Sequence, residues 1–408
     1  CLDGNLFGQL IQAEMRTRYA VPGHVGFLTQ IESSLSVAQQ LSDFYAGGLP
    51  ALPRTFIQAE QSLVFGHPFH PSPKSRPDFN PREIKRFSPE FQARFPLHYL
   101  LVRPEFLTQG YTGDHCPEII LRQYGPGGEE LPKNSSSGIP VPLHPWQAQQ
   151  LLSLPEMARA IAQGKLWDLG QRGNDFFPTS SVRTLYSPGH PYFYKMALST
   201  RITNCIRKNP VADMESSVEM TRILAQAQTS PPFHLSIRYP HFIPLPESAF
   251  ISLNLPTGNP EADEKIREGT GIVFRTSFEK SLIPDSQLIV AAAFFGNQGL
   301  GRGWISEWMP HPQAREAVWS RYLDLLLAPL LDLYFKVGMM FEPHLQNTIV
   351  SWREGRPLQI FMRDFENARV IEGSWAAKQL GNHLSAQCRQ DILYSEDQAW
   401  KRFIYCLW

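Results

Sequence analysis

The chain has 408 residues, 42% of them hydrophobic and 19% charged. That suits two or three folded domains and is too apolar for a disordered chain. Lysine plus arginine number 38 and aspartate plus glutamate also 38, so no bulk attraction to nucleic acid or an anionic membrane is expected. No apolar run reaches the roughly 18 residues of a bilayer span; the nearest, 323–335, is broken by Asp324, Pro329 and Asp332. The cysteines are Cys1, Cys116, Cys205, Cys388 and Cys406, without a CxxC pair. They fit neither a disulfide framework nor a zinc module, and a reducing cytoplasm is the expected location. The chain opens on Cys1 with no charged-then-apolar leader.

In chain order, Leu6, Leu10, Ile11 and Met15 recur at helical spacing, and 34–44 continues the pattern. Pro68, Pro71, Pro73, Pro77 and Pro81 exclude a regular helix from the next stretch, which is expected to be a stiff loop. Residues 99–102 and 118–121 read as short strands, with loops at 125–128 and 134–138. A helix is expected over 144–152 and a second over 155–164, capped by Ser153. Strands are expected at 192–198, 235–239, 271–276 and 288–293, with a helix at 220–228 among them. Long helices follow, the clearest over 314–336 with Pro329 inside it. A strand pair at 348–352 and 358–363 closes on Gly355 and Pro357. The glycine-rich 299–303 lacks any phosphate-loop spacing. The pattern predicts an α+β chain.

Four clusters carry candidate chemistry. Gly66-His67-Pro68-Phe69-His70-Pro71, followed by Lys74 and Arg76, places two imidazoles and two cations on a proline-stiffened loop suited to anionic oxygens. A surface loop with incidental charge is the alternative. Thr179-Ser180-Ser181-Val182-Arg183-Thr184, with Lys195, Arg201 and Arg207 downstream, has the makings of a phosphate cradle. On a strand, Lys195 shares a face with Phe193 and Ala197, an expensive place for an ammonium without an anionic partner. Solvated cations on an outer face are the alternative. The third and fourth clusters are Glu342-Pro343-His344-Leu345-Gln346-Asn347 and Arg363-Asp364-Phe365-Glu366-Asn367. A hairpin between them would bring Glu342, Asn347 and Asp364 together as hard oxygen donors for magnesium. The order of His344, Asn347 and Asp364 also matches a kinase-like phosphotransferase.

The ordered set GHPFHPSPKSR (66–76), HPWQ (144–147), SSVRT (180–184), Lys195, RITNCIR (201–207), EPHLQN (342–347) and RDFEN (363–367) resembles the NRPS-independent siderophore synthetases of the aerobactin-synthetase type. The likeness runs from about residue 60 to 370. It implies a hand-like fold: a helical thumb remnant (1–60), a β-rich, mainly antiparallel fingers region that binds ATP (61–290), and a helix-rich palm (291–408). It implies an acid–amine ligase that uses ATP and magnesium to adenylate a carboxylate of citrate or a related polycarboxylate. An amine or hydroxyl of a polyamine, amino acid or amino alcohol then displaces AMP. It implies a homodimer, with no nucleic-acid or membrane partner. By the same likeness Ser181, Arg183, Thr184 and Lys195 contact ATP. His67 or His70, with His70 favoured, lies near the phosphates. Thr203, Arg207, His344 and Gln346 hold the carboxylate substrate, and Glu342, Asn347 and Asp364 the metal. Arg183, Lys195, Arg207 and His344 are the residues expected to act on the reacting groups. Two features depart from the family: the ends are short, and RDFEN lacks the glycine usual at its last position. A kinase-like enzyme would release ADP, not AMP and pyrophosphate. A non-catalytic citrate or siderophore binder would have no use for a metal triad.

Overall fold

The computed structural model describes residues 4–21, 26–48, 53–67, 70–126, 137–203, 205–295, 305, 308–309 and 311–407. Loop 127–136, the glycine-rich 299–303, Cys1, Pro68 and Phe69 lie outside the described residues. The chain is α+β. Its strands in order are β1 (Phe95–Val102), β2 (Leu107–Tyr111), β3 (Ile139–Leu143), β4 (Leu166–Pro178), β5 (Thr184–Tyr186), β6 (Tyr192–Met196), β7 (Leu198–Ile202), β8 (Cys205–Arg207), β9 (Phe242–Pro244), β10 (Glu247–Leu253), β11 (Ile272–Thr276), β12 (Gln287–Val290), β13 (Met339–Met340), β14 (Thr348–Arg353), β15 (Arg356–Met362), β16 (Arg369–Ile371) and β17 (Leu393–Tyr394). Eight form one antiparallel sheet in the order β2-β10-β11-β6-β5-β4-β1-β3. A second sheet runs β12-β14-β15-β9, with β9 parallel to β15.

The alternation of side chains in the large sheet decides what each face does. Tyr194, Met196, Ile272 and Phe274 point into one core with Leu97, Leu100, Ile251 and Trp146. On the opposite face, Lys195 lies across from Thr184 and Val273, and Arg275 across from Glu247. Period-2 geometry therefore sets Thr184, Lys195, Arg275 and Glu247 on one face. A second core joins the helices Val211–Thr229, Pro312–Asp332, Ala386–Ile392 and Glu396–Leu407 to the inner side of β15. Full burial of side chains such as Phe341, Phe365 and Phe403 contributes roughly 2–3 kcal/mol each.

Helices Gly4–Tyr19 and Phe27–Phe44 match the early apolar spacing. The described part of the proline-rich stretch up to Asn80 contains no helix. Strands 99–102 and 271–276, helices 144–152 and 155–164, and the hairpin at 348–363 are present with shifted ends. The hairpin turns on Glu354 and Gly355, both at positive φ (50° and 81°), the conformation a two-residue turn requires. Expected helix 220–228 is the middle of Val211–Thr229. Pro329 sits inside Pro312–Asp332, and a π-helical turn, Leu333–Val337, ends it at Gly338. Gly338 has φ 82°, and a Cβ there would meet Ser374 Cβ at 2.1 Å, so only glycine fits.

Several expectations fail. Residues 118–121 belong to a helix, Pro117–Tyr124, because Pro117 occupies its first turn and Ile120 and Leu121 bury while Ile119 stays exposed. Residues 235–239 form one helical turn, Leu235–Arg238, with only Leu235 buried. The stretch 288–293 splits into β12 and helix Ala291–Phe295. The cap of Pro155–Ala162 is Leu154, and Ser153 instead ends the preceding helix. Strands β2, β3, β4 and β10 escaped sequence reading. β10 is buried at every position, so it lacks an alternating signal.

Candidate functional site

The turn between β4 and β5 is wound tightly. Val182 N–H donates to Thr179 O at 2.8 Å, and Thr179 N–H to Thr184 O at 2.9 Å. Ser181 Oγ accepts from Thr184 N–H at 3.2 Å. Val182 is held at φ 69°, a strained setting for a β-branched residue that persists only where its surroundings impose it. The turn delivers Arg183 inward. Its guanidinium donates to Asn209 Oδ1 and, at 2.7 Å, to Glu366 Oε2. Asn209 Nδ2 in turn donates to the carbonyls of Lys195 (3.1 Å) and Gly271 (2.8 Å).

Lys195 is 2% exposed and faces three carboxylates: Asp364 in direct contact, Glu366 at 2.8 Å and Glu247 at 3.5 Å. Arg275 pairs with Glu247 at 2.5 Å and reaches Asp364 at 3.5 Å. Three buried cations thus meet three carboxylates from five places in the fold, which is the anionic partnership Lys195 requires on an apolar strand. Burial alone would raise the Asp364 carboxyl, but Lys195 and Arg275 hold it far below the usual carboxylate range. Burial opposes ionisation of Glu366 too, yet Arg183 and Lys195 lower it to about 2. Burial pulls Lys195 down, and Asp364 and Glu247 raise it beyond its ordinary value. Asp364 adopts φ 75°, which aspartate tolerates better than most residues. That backbone turn aims Phe365 N–H at Glu247 Oε2, 3.3 Å away.

The 341–347 loop is fixed from outside. Arg363 donates to the Gln346 carbonyl at 2.7 Å and pairs with Glu60 at 2.8 Å. Glu60, 0% exposed, also accepts from Ser180 Oγ at 2.7 Å, and Gln346 Nε2 donates to Ser180 at 3.3 Å. Burial lowers the His344 imidazole against the pull of Asp364, and His67 and Arg363 add to the lowering. The structure thus brings His67 within electrostatic range of His344. His70 accepts from Ser72 N–H at 3.1 Å instead. Arg207 and Thr203 form their own pair on the β7–β8 hairpin, where Arg207 Nη2 donates to Thr203 Oγ1 at 3.1 Å with Thr203 at φ 56°.

One sequence expectation changes. Lys74 and Arg76 do not serve an anion site: they are buried on Glu90, at 2.5 and 2.7 Å. They hold Glu90 at about 2 against its burial. Glu342, Asn347 and Asp364 lie in one neighbourhood, where Asp364 acts electrostatically on Glu342, and each has a protein partner. Glu342 pairs with Arg402 at 2.5 Å, Asn347 Nδ2 donates to the Glu342 carbonyl at 3.1 Å, and Asp364 pairs with Lys195. Among the described residues no three His, Cys, Asp or Glu are disposed to hold a metal. The donor chemistry, two carboxylates and an amide, suits a hard cation.

Residues that sequence reading missed supply half of the cluster. Glu366 lies inside RDFEN, where the motif assigned it no role of its own. Arg275 stood in an expected strand, on the face fixed by its register with β6. Glu247, Asn209, Glu60 and Arg402 carried no local signal.

The fold is shared with a solved siderophore synthetase. The ATP-bound aerobactin synthetase IucA of Klebsiella pneumoniae superposes with a TM-score of 0.83 at 25% identity, covering 99% of this chain and 73% of that one. The sequence narrows the assignment. The model of the IucA / IucC family matches residues 55–296, more than half of the chain, and the chain belongs to that family. A model described as a ferric iron reductase FhuF-like transporter matches 316–408. Among similar curated proteins are the L-2,3-diaminopropanoate–citrate ligase of Staphylococcus aureus, 30% identical over 86% of this chain, and the rhizobactin siderophore biosynthesis protein RhbC of Rhizobium meliloti, 31% identical over 85%. The chain spans 60% of the length of each. No helix among the described residues is long and apolar enough to cross a membrane.

Proposed function

We propose that this chain adenylates a carboxylate of citrate or a related polycarboxylate with ATP and condenses it with an amine or hydroxyl, releasing AMP and pyrophosphate. The observation that carries the reading is the buried trio Arg183, Lys195 and Arg275, held in place by Glu247, Asp364 and Glu366. Citrate and a triphosphate repel one another, and concentrated positive charge is needed to bring a carboxylate oxygen to the α-phosphorus and to stabilise the transition state. The three carboxylates act as internal counter-ions until the polyanion arrives. Ser181 and Thr184 line the turn that presents Arg183, and His67 or His70 stands at the phosphate end. Thr203, Arg207, His344 and Gln346 receive the carboxylate substrate.

In the first step a carboxylate oxygen bonds to the α-phosphorus and the bond to pyrophosphate breaks. In the second a nitrogen or oxygen bonds to the acyl carbon and AMP leaves. Magnesium enters on donor chemistry alone: Glu342, Asn347 and Asp364 supply hard oxygens, and the ion's role is to neutralise phosphate charge. A dimeric assembly, a cytoplasmic setting and the division at about residues 60 and 290 complete the reading. The name of the Staphylococcus aureus relative supports an amino-acid amine as one acceptor class. The test is citrate-dependent pyrophosphate release. Arg183→Ala and Asp364→Ala are expected to abolish it in folded protein, and near-normal release from either variant overturns the role given to that residue. Release of ADP would favour a kinase-like enzyme instead.

A further inference from the structure

Helix Val211–Thr229 begins at the cation cluster. Asn209, which bonds Arg183 and the Lys195 carbonyl, directly precedes Pro210, the residue that opens the helix. Met214 in the first turn packs against Gly271, where an added Cβ would lie 2.9 Å from its sulfur. The first turn is therefore fixed beside Lys195, and it carries Asp213. Among the described residues no hydrogen bond or ion pair reaches the Asp213 carboxylate, which is only half-buried. Glu247, Asp364 and Glu366 each pair with a cation; Asp213 forms no such pair among the described residues.

We propose that Asp213 is the proton acceptor for the amine that attacks the acyl-adenylate. The inference rests on the adenylating reading above and assigns a group to its second step. The amine enters neutral, having lost one proton to water. As its nitrogen bonds to the acyl carbon it becomes positively charged, and its remaining N–H is far more acidic than in the free ammonium. Asp213 takes that proton, the bond from the acyl carbon to the AMP oxygen breaks, and AMP leaves with the electron pair.

The surroundings suit the task. Asp213 faces Lys195 from β6, Glu366 and Arg369 from the segment after β15, and Asp391 and the Cys388 thiol from helix Ala386–Ile392. Burial, reinforced by Glu366 and Asp391 and opposed by Arg369 and Lys195, pushes its carboxyl up to about 6. A base of that strength near neutral pH is well matched to proton transfer. The negative charge also attracts a cationic acceptor to the edge of a site that is otherwise built for anions.

The experiment separates the two half-reactions. Citrate-dependent ATP–pyrophosphate exchange reports adenylation. A panel of diamines and amino acids, read by mass spectrometry, reports amide formation, and the fastest amine in the wild type is carried to the variants. In Asp213→Asn, amide formation is expected to fall by about a hundredfold or more while exchange continues. Hydroxylamine, whose positively charged adduct is acidic enough to lose its proton to water, should restore product formation to within a few-fold, and Asp213→Glu should retain more amide formation than the asparagine variant. In the wild type, amide formation should lose rate below pH about 6 while exchange does not. Amide formation within threefold of wild type in Asp213→Asn, an equal loss with hydroxylamine, or parallel pH profiles would overturn the proposal. A wild type with neither exchange nor amide product overturns the adenylating reading itself.

Discussion

Glu366→Gln tests whether the cation cluster is held ready by an internal counter-ion. Glu366 touches Arg183 at 2.7 Å and Lys195 at 2.8 Å, and these cations lower its carboxyl from 4.5 to about 2. A shift of that size corresponds to about 3 kcal/mol in favour of the ionised group in the folded state. Glutamine keeps the shape and loses the charge, so roughly that much stability should go at neutral pH. For a chain of 408 residues the melting temperature falls by about 4 °C. The sign with pH is fixed. The folded pKa is depressed, so the contribution is present above 4.5 and disappears as pH falls through about 2. Wild type and variant should therefore converge in acid. The same substitution removes a competitor for Arg183 and Lys195. If ATP recovers even half of the lost interaction, its KM should drop by about tenfold. Thermal melts at several pH values and steady-state pyrophosphate release with varied ATP read both effects. An unchanged melting temperature together with an unchanged or raised KM for ATP would refute the counter-ion argument.

Two further outcomes follow from buried charge. Glu60→Ala strands Arg363, 4% exposed, and releases its grip on the Gln346 carbonyl. A loss of about 3–5 kcal/mol is expected, read by denaturant unfolding, and a loss below about 1 kcal/mol would show that Arg363 is not held by Glu60. His144 is fully buried, accepts from Trp146 N–H at 3.2 Å, and burial lowers its imidazole to about 3. Between the unfolded value of 6.5 and about 3 the unfolded chain binds one more proton, so stability should fall by about 1.4 kcal/mol per pH unit on acidification. His144→Asn keeps a cap acceptor without titrating, and its urea midpoints should fall less steeply from pH 7 to 4. Parallel slopes would discount His144 as an acid-sensitive element.

Much of the site was legible one residue at a time. Lys195 announced itself because an ammonium on an alternating apolar strand demands an anion. Asp364 and Arg183 stood in short motifs, and the 348–363 hairpin followed from its turn residues. Motif reading also misled. Lys74 and Arg76 looked like cations offered to a ligand, yet both are consumed by Glu90, 16 and 14 residues away. The sequence carries charge without its destination. It marked 118–121 as apolar but not as a helix, because four apolar residues fit a strand face and a helix face equally well.

The sequence by itself determined the α+β class, the period that puts Lys195 on the inner face of its strand, and the motif order of the family. Only the tertiary structure decided which carboxylates meet which cations. Lys195 and Asp364 lie 169 residues apart and Arg183 and Glu366 183. Ion pairing acts over a few ångströms of space and is indifferent to distance along the chain. Register and crossover connections therefore had to bring β5, β6, β10, β11 and the turn after β15 to one place before the cluster, or the unpaired Asp213 beside it, existed at all.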